Sequence, residues 1–212
     1  MILMTAMPLT ALAQTDTAGA LVDAAARGDT ARVQQLLDAG ASVRQHDARQ
    51  RTALLAATAG NHLAVARLLV ENGADVNAQD DKRDSAFLLA GASGYTDIVR
   101  LTLAAGADVK STNRYGGTAL IPACHHGHVE TVRLLLSTAI DVDHVNDLGW
   151  TALLEAVILG DGGPAYTRIV QMLITHGARV NLADRQGVTP LQHAVQRRQT
   201  QVVALLKGAG AP

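Results

Sequence analysis

Gly73-Ala74-Asp75-Val76-Asn77 reads as the close of a helix followed by an extended turn, because glycine enters the left-handed backbone region without a Cβ clash. Its weight comes from recurrence. Gly-Ala pairs stand at Gly40-Ala41, Gly73-Ala74 and Gly106-Ala107 at intervals of 33 residues, and Ala139-Ile140 holds the same place 33 residues further on. The series resumes at Gly177-Ala178 after 38 residues and at Gly210-Ala211 after another 33. A second series keeps step: Thr52, Ser85, Thr118 and Thr151 are 33 apart and Thr189 follows after 38, with Leu54, Phe87, Leu120, Leu153 and Leu191 two residues behind each. Two registers in step define a structural repeat, and a period near this length means a stack of small units.

Within each unit Asp47, Asp80, Asn113, Asn146 or Asp184 opens a turn before the Thr or Ser, whose hydroxyl can accept from the orphan N–H groups of a helix start. A short first helix follows, with Ala pairs such as Ala24-Ala25 that let neighbouring units approach closely. It stops at Gly28, Asn61, Gly94, Gly127 or Gly160. A second helix presents Val132, Leu135, Leu136 and their counterparts at helical spacing. Neither helix can bury its apolar stripe alone, so each unit depends on its neighbours. The polar run Gln196-Arg197-Arg198-Gln199-Thr200-Gln201 suits a terminal unit facing water, and Gly19 leaves the first helix without a capping hydroxyl.

Thr189-Pro190-Leu191-Gln192-His193-Ala194 and Gly73-Ala74-Asp75-Val76-Asn77 resemble the signature of the ankyrin repeat family. The resemblance covers residues near 17 to 212 and implies an all-α solenoid of about six helix-turn-helix repeats with short hairpin fingers. Their bounds are near 17–46, 47–79, 80–112, 113–145, 146–183 and 184–212, within a domain spanning 14–212. Departures from the pattern are specific. Ala replaces the signature Pro at Ala53, Ala86, Ala119 and Ala152, and Gln50 and Arg83 stand where the fingers usually carry Gly, which predicts two distorted fingers. Ala139-Ile140 in place of Gly-Ala predicts an altered helix end. The fifth repeat carries five extra residues around Asp161-Gly162-Gly163-Pro164-Ala165.

The bulk composition narrows the function. With Lys+Arg at 18 against Asp+Glu at 19, the chain lacks the positive excess that neutralises phosphate, so nucleic acid is not the expected partner. Cys124 is the only cysteine, which excludes an intramolecular disulfide and reads as a buried packing thiol. Met1 to Ala13 is apolar, uncharged and ends Ala11-Leu12-Ala13, a pattern like that cut by signal peptidase, although no basic residue precedes Arg27. The expectation is a signal peptide over 1–13 and a mature chain in the periplasm or secreted, with the cytoplasm as the alternative. No later stretch is apolar for long enough to insert in a membrane.

His125, His126 and His128 invite a metal or catalytic reading, but Gly127 ends the helix before His128 and neighbouring helical residues point about 100° apart, so convergence on one ion is not expected. The family resemblance gives His62 and His128 the role of supporting the turn between helices. No phosphate loop, nucleophile elbow or HExxH motif is present, and no cofactor is expected. Glu130-Arg133 and Asp97-Arg100 have the spacing of solvent-facing pairs.

The resemblance places partner contacts on the fingers and inner helices. Carried over residue by residue, they fall on Arg114, Tyr115, His125 and His126 in repeat four, and on Asp147, Leu148, Trp150, Ile158 and Leu159 in repeat five. The latter set is apolar where a merely soluble repeat would be polar, and it holds the only Trp, a residue type that anchors interfaces. The expected function is a non-enzymatic, monomeric module that binds another protein through the concave face of repeats four and five. Resemblance to small exported bacterial ankyrin repeat proteins suggests an envelope or stress-related enzyme as one partner. An exported effector or immunity protein is the alternative, and a His-dependent metalloenzyme ranks below both.

Overall fold

The computed structural model describes residues 19–212; the leader 1–13 and the start of the first repeat lie outside the described residues. Helices follow one another in pairs. The inner members are α1 (19–26), α3 (Ala53–Ala59), α5 (Ala86–Ser93), α7 (Leu120–His125), α9 (Ala152–Ile158) and α11 (Pro190–Gln196). The outer members are α2 (Thr30–Asp38), α4 (Leu63–Glu71), α6 (Thr96–Ala104), α8 (Val129–Leu136), α10 (Pro164–Thr175) and α12 (Thr200–Gly208). From α3 on, each inner helix packs on the next inner helix, and from α2 on the outer helices form a parallel row behind them. This is the six-repeat all-α solenoid that the spacing predicts.

Buried apolar side chains run through the stack in two clusters that meet at α5, where Ala86 belongs to the first and Phe87 to the second. Small residues on the inner helices, such as Ala56, Ala57, Ala90 and Ala123, are fully buried and set the close spacing of the layers. Gly91 shows how tight that spacing is: a Cβ there would meet the Ala119 side chain at 2.8 Å.

The capping hydroxyls behave as predicted in four repeats. Thr52, Ser85, Thr151 and Thr189 accept from Leu55, Leu88, Leu154 and Gln192 N–H at 3.1, 3.2, 3.2 and 3.3 Å. Thr118 is the exception, because Pro122 sits where the other inner helices have an N–H that bonds back to the capping residue's carbonyl. Ile121 N–H takes the Thr118 carbonyl instead, at 3.3 Å, and the buried Thr118 hydroxyl has no partner.

Gln50 and Arg83 do not distort their fingers. Both adopt left-handed backbone, at φ 57° and 59°, and reproduce the hydrogen bonds that Gly116, Gly149 and Gly187 make in the other fingers. The turn between inner and outer helix is left-handed at Gly28, Asn61, Gly94 and Gly127, but in repeat five it lies at Gly162 and not at Gly160. The insertion is the reason: it carries the chain past Gly160 and adds a first turn, Pro164 to Tyr166, to the 12-residue α10. At the altered helix end, Ala139 stays out of the left-handed region. Ile140 N–H therefore bonds the Thr138 hydroxyl at 3.2 Å, whereas Ala41, Ala74, Ala107, Ala178 and Ala211 bond a helix carbonyl.

Candidate functional site

Two fingers rise beside each other at residues 113–117 and 146–150. Asn113 Oδ1 accepts from Tyr115 and Gly117 N–H at 2.9 and 3.1 Å, and Asn146 Oδ1 accepts from Leu148 and Trp150 N–H at 3.0 Å each. These side-chain acceptors hold each loop open in one shape. Asp147 N–H donates to the Tyr115 carbonyl at 2.9 Å, and His144 Nε2 lies 2.7 Å from the Gly116 carbonyl, so the two fingers are tied to each other. They present Tyr115 and Leu148 with about half their surface exposed, at 54% and 52%, and hold Trp150 half-buried.

The fingers and the inner helices α7 and α9 enclose a cleft of about 430 Å³. Ile121, Pro122 and His125 line it from α7 and His126 from just past its end, Glu155 from α9 and Leu159 from just past its end, while Asp84, Leu89 and Ala92 close the side toward repeat three. At the rim the Arg114 guanidinium lies 4.7 Å from the centre of the Tyr115 ring and 3.8 Å from Asp84 Oδ2. Burial raises the Asp84 carboxyl, with Asp80 adding to it.

Glu155 is 5% exposed at the floor of this cleft. Asn146 Nδ2 donates to its Oε1 at 3.1 Å, while Oε2 has no hydrogen-bond partner and lies 3.6 Å from His125 Nδ1. Burial pushes the Glu155 carboxyl up to about 7, the Asn146 hydrogen bond opposing the rise. His125 moves the other way: burial and neighbouring His126 lower it, so the imidazole facing Glu155 favours its neutral form. His125 and His126 stack at 4.3 Å between ring centres, and His128 stands off at 5.8 Å from His126. Among the described residues no three His, Cys, Asp or Glu side chains are placed to hold a metal ion. Cys124 is fully buried, and burial together with Glu155 pushes its thiol up, away from the reactive thiolate.

Of the residues the sequence singles out, Arg114, Tyr115, His125, His126, Leu148, Trp150 and Leu159 come together around the cleft. Asp147 does not line it, and its backbone serves the finger-to-finger bond. Ile158 is corrected outright: it is 7% exposed and points into the packing, because one helical step of about 100° separates it from Leu159. Glu155, Asn146 and Asp84 escape the sequence reading. Only the helical spacing of Glu155 and Leu159, four residues apart on one face, signals one of them. The turn-supporting role holds for His62, whose Nε2 lies 3.1 Å from the Ala26 carbonyl. Of the two predicted surface ion pairs, Glu130–Arg133 forms at 3.3 Å, and Asp97–Arg100 does not form.

A solenoid of paired helices whose fingers and inner helices frame an open cleft defines a repeat scaffold for binding. The comparisons agree. The family model for ankyrin repeats, in three copies, matches residues 9–80 and 87–184, and the chain belongs to the ankyrin repeat family. An ankyrin repeat domain from Acinetobacter baumannii AYE is 52% identical, with a TM-score of 0.88 over 91% of this chain and 98% of that one. The ankyrin repeat protein EF0377 is 39% identical, with a TM-score of 0.86 over 90% and 97%. YahD of Escherichia coli (strain K12), which carries the ankyrin repeat name, is 46% identical over 57 residues; the match spans 27% of this chain and 28% of that protein. Ankyrin repeats are protein–protein interaction modules, generally without catalytic activity. No helix among the described residues is long and apolar enough to cross a membrane.

Proposed function

We propose that this chain is a non-catalytic protein-binding module whose partner docks in the cleft between the fingers and inner helices of repeats four and five. The observation that carries the reading is the local concentration of exposed apolar side chains. Tyr115, Leu148 and Leu159, each more than 40% exposed, surround one concave cleft together with the half-buried Trp150. Apolar surface gathered in one concavity, with aromatic and arginine side chains at its edge, matches the anatomy of an interface centre. Export of the chain is a companion proposal, supported by the apolar Met1–Ala13 and its Ala11-Leu12-Ala13 end. N-terminal sequencing of the protein recovered from cells tests it, Gln14 being the expected first residue.

The docking reading is tested by tagged capture, with quantitative mass spectrometry, using the parent chain, Trp150→Ala and Arg67→Ala. Arg67 is exposed on the outer helix α4 and serves as the control. The expected result is that Trp150→Ala folds, as judged by its thermal midpoint, and loses partners that the parent and Arg67→Ala retain, since truncating an interface anchor costs about 2 kcal/mol or more. Equal recovery by all three chains overturns it.

A further inference from the structure

We propose that the cleft takes a lysine side chain of the partner protein, its ammonium donating to the unpartnered Oε2 of Glu155. The inference rests on the docking reading above and names the chemistry that the docked segment must carry.

Charge bookkeeping inside the cleft gives the sign. Asp84 and Arg114 offset each other at the rim, at 3.8 Å. Among the described residues Glu155 has no cation beside it, since His125 is held toward its neutral form, and its Oε2 accepts no hydrogen bond. A buried carboxylate oxygen left without a donor is costly; Oε2 is itself sealed from solvent, so the side chains lining the cleft must shift for a cation to reach it, and the cation then removes that cost. The number of open acceptors then favours lysine over arginine. Asn146 Nδ2 already takes one of the acceptor positions of Oε1, whereas Oε2 has none taken, so a donor that engages one oxygen fits this carboxylate with less competition than a guanidinium fork that needs both. An ammonium is a compact donor suited to one oxygen. It has further hydrogens for His125 Nδ1, which is 3.6 Å from Oε2 and can accept in the tautomer protonated at Nε2. Trp150, Leu148 and Leu159 line the same cleft and cover the methylene stem that carries the charge inward.

The test uses a synthetic library of capped pentapeptides with lysine fixed at the centre, remade with Nε-acetyl-lysine, arginine or norleucine there. It is probed with the full labelled chain, with Glu155→Gln and with Trp150→Ala. The expected result is that the best lysine peptides bind roughly tenfold or more tightly than their acetyl-lysine and norleucine counterparts, and that Glu155→Gln, still folded, cancels the preference. Trp150→Ala weakens every series. A lysine preference that survives Glu155→Gln overturns the assignment, as does arginine binding equal to or tighter than lysine. If norleucine peptides bind as well as lysine and Trp150→Ala abolishes both, the lysine assignment falls and the docking reading stands. If no series binds, the lysine assignment falls, and the capture experiment with Trp150→Ala decides the docking reading separately. Equal binding by free n-butylamine would make the site one for small amines and overturn the peptide assignment.

Discussion

Tyr166 Oη donates a 2.8 Å hydrogen bond to the carbonyl oxygen of His125, 41 residues earlier. In the first two repeats His62 makes the equivalent contact with Ala26 across 36 residues. The five-residue difference is the length of the insertion in repeat five. The extra residues therefore lie within the span of an inter-repeat tie that the chain keeps, with a tyrosine hydroxyl standing in for the imidazole. Repeat six keeps it in a third form, Gln199 Nε2 donating to the Val157 and Gly160 carbonyls at 3.0 Å each.

Tyr166→Phe removes that donor and keeps the ring packed against Gly127 and Gly160. The His125 carbonyl loses its reach into repeat five, so the expected cost is about 1 kcal/mol. Urea unfolding should show a lower midpoint with an unchanged slope. An unchanged midpoint would mean that the ring, and not the hydroxyl, carries the tie.

Leu120→Ala tests the central layer. Leu120 opens α7 and is completely buried between the Phe87 and Leu153 layers of one core cluster, so truncation leaves a cavity that costs about 2 to 5 kcal/mol. Thermal or urea unfolding measures it. A midpoint equal to the parent's would show that the neighbouring repeats collapse into the space.

The architecture was legible because every repeat states it again: the hydroxyls at Thr52, Ser85, Thr151 and Thr189 and the Gly-Ala helix ends are local signals whose physics stays within a few residues. Failures occur where a residue outside the repeated signal decides. Thr118 carries the same signal but loses its bond to Pro122, which is visible in the sequence once the ring's missing N–H is followed to the carbonyl it would have used. Glu155 reads as an ordinary helical acid, and only the Asn146 finger and His125 of the preceding repeat bury it. Gln199 sits in a run read as solvent-facing, yet it is buried by the carbonyls it satisfies in repeat five. The residues around the cleft followed from the family resemblance carried along the repeat register, and the cleft's charge required the tertiary contacts.

The same substitution should destabilise at one capping position and not at another. Thr151→Val removes the acceptor for Leu154 N–H and should cost about 1 kcal/mol. Thr118→Val removes a buried hydroxyl that has no partner, so it should be neutral or stabilising, by up to about 1 kcal/mol. Unfolding midpoints of the two variants against the parent decide it. A loss at Thr118 as large as that at Thr151 would show that the Thr118 hydroxyl is satisfied in solution.

Glu155→Gln should stabilise the chain in a pH-dependent way. The folded carboxyl titrates near 7, raised by burial, whereas an unfolded glutamate titrates at about 4.3. Below the lower value both states are protonated, and the substitution should change little. As pH rises toward 7 the unfolded chain releases the proton first, so the parent loses stability steadily, and above 7 the loss levels off at about 4 kcal/mol. Gln keeps the acceptor for Asn146 Nδ2 and carries no charge to bury, so it escapes that loss. The groups facing Glu155 are His125 and Cys124 from α7 and the neutral Asn146 from the finger. His125, lowered by burial and His126, destabilises the fold as pH falls in both proteins, but at 3.6 Å it couples to the carboxyl in the parent alone, so the comparison is repeated in a His125→Gln background to take that contribution out of the difference. Denaturant unfolding of parent and variant from pH 4 to pH 9 should therefore give a stability difference that opens between about pH 4.5 and 7 in favour of Glu155→Gln. A flat difference across that range would mean that the Glu155 carboxyl is solvated or already paired in the folded chain.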